Sequence, residues 1–93
     1  MIRRPDRVGI IGLGAFGRFM AGHLAPHFEL LGYDPAADAA PDGVRRTSLA
    51  ETAACPVVIL ATPVSVMAET ARKIAPLVAP DALVIDVGSV KVL

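Results

Sequence analysis

The sequence has one cysteine, Cys55, which leaves it without an internal disulfide or a cysteine cluster for a metal. That usage fits a reducing cytosol, and a cytoplasmic location is the expectation. Charge of one sign is also lacking, since nine Lys and Arg balance nine Asp and Glu. No long-range basic field is present to attract phosphate backbones or anionic lipid, so neither nucleic acid nor membrane is an expected partner. No apolar stretch reaches the roughly 18 to 20 uncharged residues that a membrane-spanning helix needs. Met1-Ile2-Arg3-Arg4 ahead of the apolar residues 8–17 has the outline of an export signal. Asp6 and Arg18 bracket that run, however, and Gly9, Gly12, Gly14 and Gly17 interrupt it, so a soluble protein is expected. The two histidines, His23 and His27, are separated by Pro26, which breaks the helix that would align them on a metal. No metal site is expected, and both read as residues at a helix C-terminus, where the dipole favours them. Cys55, just before Pro56 and a buried strand, reads as a small apolar filler. Internal repeats, linkers and low-complexity segments are missing as well.

What remains is short and apolar. Ninety-three residues allow one domain, and 54% hydrophobic against 19% charged residues excludes a disordered chain. Arg7-Val8-Gly9-Ile10-Ile11-Gly12 reads as a strand buried on both faces. Phe16, Phe19, Met20 and Leu24 then recur at helical spacing, predicting a helix over 14–25 that Pro26 stops. Residues 28–33 form a second strand ended by Asp34-Pro35, and residues 44–47 a short third strand at a sheet edge. Ser48-Leu49-Ala50-Glu51 has the form of a capping box opening a short helix to Ala54. Val57-Val58-Ile59-Leu60-Ala61 is a continuous run of the kind found at the centre of a parallel sheet. Thr62 as cap and Pro63 at the first position open another helix, whose apolar stripe is Val64, Met67, Ala71, Ile74 and Val78. Residues 83–87 make a fifth strand. Strands and helices thus alternate, which predicts an α/β fold, a Rossmann-type doubly wound parallel sheet of order 3-2-1-4-5 ending after the fifth strand.

Gly12-Leu13-Gly14-Ala15-Phe16-Gly17 is a G-x-G-x-x-G. Three glycines alone can serve tight packing, but these lie between a strand and an amphipathic helix, the context of a dinucleotide site. In that reading Gly12 makes the turn and Gly14 lets the backbone approach a pyrophosphate. Gly17 allows close helix packing, and the free N–H groups of the helix start hold the anion. Asp34 ends the second strand about 20 residues further on, where a carboxylate accepts from the adenosine ribose hydroxyls. A carboxylate there repels a 2′-phosphate, and Pro35 rather than an arginine follows, so NAD is expected over NADP. Arg45 and Arg46 lie near enough to leave that choice open, although solvated edge charges explain them too. Ala61-Thr62-Pro63-Val64 brings a strand-to-helix turn to the crevice where chain order reverses. A simple helix start would explain Thr62 and Pro63. The alternative is contact with the ribose or nicotinamide side of the cofactor. Asp86-Val87-Gly88-Ser89-Val90-Lys91 leaves the fifth strand with a hydroxyl and an ammonium two residues apart. From the residues alone this is either a ligand contact or a polar turn, and Ser89 has no histidine placed to make it a nucleophile.

Taken together, these motifs resemble the nucleotide-binding domain of the prephenate and arogenate dehydrogenases, from about Arg7 to Lys91. Val8-Gly9-Ile10-Ile11-Gly12-Leu13-Gly14 is shared with many dehydrogenases, Ala61-Thr62-Pro63-Val64 is narrower, and the final hexapeptide is the family-like signature. The resemblance implies oxidation of a cyclohexadienol by hydride transfer to NAD(P) as a ring carboxylate leaves as carbon dioxide, a step of tyrosine biosynthesis. It implies a histidine that withdraws the hydroxyl proton, with Ser89 as the catalytic residue that assists it and Lys91 nearby without an assigned role. The family's histidine lies in a His-Pro motif beyond Leu93, and neither His23 nor His27 matches it. Residues 1–93 are therefore expected to be one incomplete dinucleotide-binding domain, inactive alone, whose helical substrate domain and homodimer interface lie elsewhere.

Two other readings stay open. One is a nucleotide-sensing regulatory module of an ion channel or redox repressor, which has no evident use for Gly88-Ser89-Val90-Lys91. The other is a dehydrogenase of the β-hydroxyacid or pyrroline-carboxylate reductase type.

Overall fold

The computed structural model describes residues 6–37 and 39–87. Five strands, β1 (Arg7–Ile11), β2 (Glu29–Tyr33), β3 (Val44–Arg46), β4 (Val57–Leu60) and β5 (Leu83–Asp86), form one sheet of order β3-β2-β1-β4-β5. Every neighbouring pair is parallel, with Ile10 opposite both Gly32 of β2 and Ile59 of β4. Three helices, α1 (Ala15–Leu24), α2 (Leu49–Ala53) and α3 (Val64–Ile74), make three of the four connections, and β2 leads to β3 without a helix among the described residues. This is the doubly wound order expected from the alternation of elements.

The unbroken apolar runs of β1, β2 and β4 follow from two cores, one on each face. Side chains alternate across a strand, so Val8, Ile10, Leu30 and Ile59 pack with Leu13 and Ala21 on the α1 side. Ile11, Leu31, Val58 and Leu60 pack with Ala53, Cys55 and Ile74 on the side of α2 and α3. A strand with only one covered face would alternate apolar and polar residues; these do not.

The helices meet the sheet differently from their sequence pattern. On α1 the buried residues are Gly17 and Ala21, while Met20 and Leu24 are half-buried. Phe19 is 60% exposed and lies against the rings of Phe16 and His23, at centroid distances of 6.2 and 4.6 Å. The small residues face inward because α1 runs too close to the sheet for an aromatic ring to fit beneath it. His27 lies beyond the end of α1, leaving only His23 in its last turn. On α3 the inner face is Met67, Thr70 and Ile74, continued by Val78, whereas Val64 and Ala71 are exposed. The helix is rotated about its axis relative to the stripe counted from its first residue.

α2 keeps half of its capping box. Ser48 Oγ accepts from the Glu51 N–H at 3.1 Å, but the Glu51 carboxylate accepts from the Thr47 hydroxyl at 2.8 Å. The O–H of the preceding residue takes the place of the backbone donor. α3 begins after Pro63, which is itself the N-cap, and no side chain caps it. Thr62 does not cap; its hydroxyl donates to Met67 Sδ at 3.6 Å. β5 is exposed along its whole length, with Leu83 at 57%, because it is the sheet edge beyond β4. Among the described residues no helix is long and apolar enough to cross a membrane.

Candidate functional site

β1 is the strand at which the chain order reverses, flanked by β2 on one side and β4 on the other. Ligands of open α/β sheets bind at the carboxyl ends of the strands at such a point. The parallel ladder continues past the strand ends there. The Gly12 N–H donates to Tyr33 O at 2.9 Å, the Ala61 N–H to Ile11 O at 2.8 Å, and the Val87 N–H to Leu60 O at 3.1 Å. These bonds fix the origin of each turn that leaves the sheet, and between the turns lies a cleft of about 540 Å³. Cavities of about 300 to 1,000 Å³ are typical of cofactor and small-molecule sites.

Eight residues singled out in the sequence line this cleft: Gly12, Gly14, Ala15, Phe16, Asp34, Ala61, Thr62 and Pro63. Leu13, in the loop, and Gly17, in the first turn of α1, belong to the same motif but do not line the cleft, and both are buried. Ser89 and Lys91 fall outside the described residues. Three further lining residues are Ala36, which carried no signal in the sequence, and Val64 and Val87, which stand in the two quoted turn motifs without being singled out as contacts. Each is a small or aliphatic residue whose role is its position on a turn, and composition does not reveal that. A smaller cleft of about 120 Å³ adjoins on the far side of Asp34, sharing Gly12 and Asp34 with the first and adding Tyr33, Pro35, Thr70 and Lys73.

The three glycines do three different jobs. Gly12 has φ +104°, a region L side chains rarely adopt, and a Cβ there would stand 2.8 Å from the backbone of Ala61. The β1 turn is therefore packed directly on the β4 turn. A Cβ on Gly17 would strike the Gly12 carbonyl, so α1 sits against the turn that precedes it. Gly14 has nothing within 4 Å of where its Cβ would be. Packing does not require glycine at 14, and the open space there faces the cleft that Gly14 lines.

The electrostatics suit an anion. α1 starts at Gly14 and α3 at Pro63, neither has a side-chain cap, and neither has an acidic residue in its first turn. Both helix starts line the same cleft. Uncapped first-turn N–H groups and the positive ends of two helix dipoles thus converge on it. On the opposite bank Asp34 is half-buried, and both of its oxygens are engaged. Oδ2 accepts from the Leu13 N–H at 2.8 Å and Oδ1 from the Ala36 N–H at 2.9 Å. A carboxylate has about four lone-pair positions, so each oxygen retains capacity for a ligand hydroxyl. Thr62 presents its hydroxyl beside a thioether, a weak acceptor that a better partner displaces. Among the described residues no group of three or more His, Cys, Asp or Glu is arranged to hold a metal ion.

Comparison with known proteins agrees with this arrangement. Residues 26–93 match the family described as prephenate dehydrogenase, nucleotide-binding domain. The match takes in Asp34 and the β4–α3 turn and starts after the glycine motif. No curated protein matches the chain. Among solved structures, the chain is similar to prephenate dehydrogenase from A. aeolicus, in complex with hydroxyphenyl propionate and NAD+, at 28% identity and TM-score 0.76, covering 96% of this chain and 35% of that one. It is similar to Synechocystis arogenate dehydrogenase at 27% identity and TM-score 0.78, covering 91% of this chain and 34% of that one. Plasmodium falciparum pyrroline carboxylate reductase with NADP bound shares the fold, at 21% identity and TM-score 0.75 over 88% of this chain and 33% of that one. The chain spans well under half the length of each.

Proposed function

The chain belongs to the family of prephenate dehydrogenase nucleotide-binding domains, and from that membership we propose that it is the cofactor-binding part of an oxidoreductase that oxidatively decarboxylates prephenate or arogenate, with NAD as hydride acceptor. The observation that carries this reading is the pairing of two uncapped helix starts with Asp34 across one cleft. That is an anion-binding bank facing a hydroxyl-accepting bank, as a dinucleotide requires.

The N–H groups of Ala15 and Phe16, freed of any side-chain cap, hold the pyrophosphate, and Gly14 leaves room for its approach. Asp34 accepts from the adenosine ribose hydroxyls, and the smaller cleft behind it widens the site at that end. Its negative charge disfavours a 2′-phosphate, which is the basis for NAD over NADP. Ala61, Thr62 and Pro63 would border the nicotinamide side, where the Thr62 hydroxyl, now on Met67 Sδ, is available to the cofactor. Bound there, NAD would supply the hydride acceptor for a substrate that loses carbon dioxide. Ser89 assists the general base by hydrogen bonding, as in the family. Neither His23 nor His27 lines the cleft, so the chain alone is proposed to bind cofactor without turnover. In the whole enzyme, a cytoplasmic homodimer of tyrosine biosynthesis, the base and the substrate contacts come from outside residues 1–93.

Calorimetric titration of the chain with NAD and with NADP tests the reading. Saturable binding of NAD, at least tenfold tighter than NADP, is the expected result. Absence of binding to either overturns it, and turnover of prephenate or arogenate by the chain overturns the inactivity.

A further inference from the structure

Arg18 stands just past the glycine motif, on the exposed side of α1, where helical spacing assigns it nothing beyond solvent. In the fold its guanidinium reaches back over the loop. Nε donates to Leu13 O and a terminal nitrogen to Ala39 O, both at 3.1 Å. Leu13 is thereby held at both of its backbone groups, because its N–H donates to Asp34 Oδ2 at 2.8 Å. Asp34 is tied onward to the Ala36 N–H at 2.9 Å. These four bonds close a frame that runs from α1 through the glycine loop to Asp34, along the segment after β2, and back to Arg18. Two members of the frame, Asp34 and Ala36, line the cleft.

We infer that Arg18 is a positioning residue for cofactor selectivity: by bridging Leu13 and Ala39 it fixes Asp34 and the segment after β2, so that the carboxylate stays at the place where a 2′-phosphate would stand. The inference rests on the reading of the cleft as an NAD site. Selectivity against a phosphate requires that the repelling charge not move away from it. An unfastened segment after β2 gives the carboxylate that freedom. Arg18 carries a positive charge of its own, and removing a cation from a site disfavours an added phosphate. A positioning role and a charge role therefore predict opposite changes in selectivity.

Kd values for NAD and for NADP are measured on the full chain carrying Arg18, Arg18→Ala, Arg18→Gln or Arg18→Lys, with a thermal melt of each. Loss of the charge-assisted bonds in Arg18→Ala is expected to weaken NAD about tenfold and NADP much less, so that the preference for NAD falls about tenfold. Arg18→Lys, with a single donor head, is expected to lie between. A preference that stays constant while both affinities fall overturns the inference, as does a preference that rises. Where Arg18→Ala does not fold, Arg18→Gln and Arg18→Lys give the same comparison. If the unsubstituted chain binds neither dinucleotide, the reading of the site itself fails before any variant is measured.

Discussion

The backbone N–H of Leu13 donates to Asp34 Oδ2 at 2.8 Å, which joins the glycine loop after β1 to the acidic residue after β2 in the protein alone. The carboxylate proposed to recognise the ribose is thus tied directly to the loop proposed to receive the phosphates. Asp34→Asn keeps one acceptor oxygen but sets an amide N–H₂ against one of the two backbone donors. The variant is expected to lose about 1 kcal/mol of stability, readable in urea unfolding, because one N–H is left without a partner. In titrations its NAD affinity should fall and its NADP affinity relative to NAD should rise. Unchanged selectivity would show that Asp34 only shapes the loop.

Glycines 12 and 14 separate packing from binding. Gly12→Ala puts a methyl group 2.8 Å from the Ala61 backbone at φ +104°. A loss of about 2 to 4 kcal/mol is expected in denaturant unfolding. Gly14→Ala meets nothing within 4 Å, so its melting temperature should stay close to that of the parent chain. Its methyl group narrows the approach to the helix start, and its dinucleotide affinity should fall. A Gly14→Ala chain that binds NAD as well as the parent would contradict the assignment of the phosphates to α1.

Much of this was readable in the amino-acid order, and the parts that were not share a cause. The strand order followed from the alternation of short apolar strands with helical crossovers. The site followed from Gly12, Gly14 and Asp34, whose spacing reflects a local turn and a strand length. Arg18 was not legible, because its acceptors are backbone atoms: Leu13 O is presented by the shape of the turn into α1, and Ala39 O, 21 residues away, comes near only when β1 and β2 pair. The inward turn of Thr70 in place of Ala71 depends on how α3 rolls against β4, and a count along one helix does not contain that roll. β5 reads as a strand from its β-branched residues, but its exposure does not follow from them: burial needs a neighbour, and at the sheet edge Leu83 has none on its outer side among the described residues. Ser89, the residue that most narrows the family in the sequence, lies outside the described residues.

The start of α2 offers a test of local design. Ser48 Oγ accepts from the Glu51 N–H, and the Glu51 side chain is occupied by Thr47. Ser48→Ala is expected to cost about 1 kcal/mol in urea unfolding, since the orphaned N–H has no second side chain to turn to. Ser48→Asp should restore most of it. α2 lies against β1, with the Thr52 carbonyl over Gly9. A frayed α2 should therefore lower stability without changing cofactor affinity. Equal losses in both would mean that the helix supports the site directly.

Cys55 gives the chain an alkaline limit. It is 2% exposed, and its thiol donates to Glu51 O at 3.7 Å. Burial is the main influence and raises its pKa above the ordinary 9.0, with Glu29 adding to the rise while Arg7 and Arg45 oppose it. The folded chain therefore holds this proton more tightly than the unfolded chain. Below pH 9.0 the thiol is protonated in both states and its stabilising contribution is complete; as pH rises through the raised value, that contribution is lost. Urea unfolding of the parent chain from pH 8 to pH 11 should accordingly show a fall in stability that is shallower in Cys55→Val, which packs similarly and has no proton to lose. Comparison of the two chains isolates the contribution of the thiol. A thiol reagent at pH 7 should modify the folded chain far more slowly than the urea-unfolded chain, because both access and thiolate are scarce. Rapid labelling of the folded chain at pH 7 would show that the β4 end of the sheet opens on the timescale of the reaction.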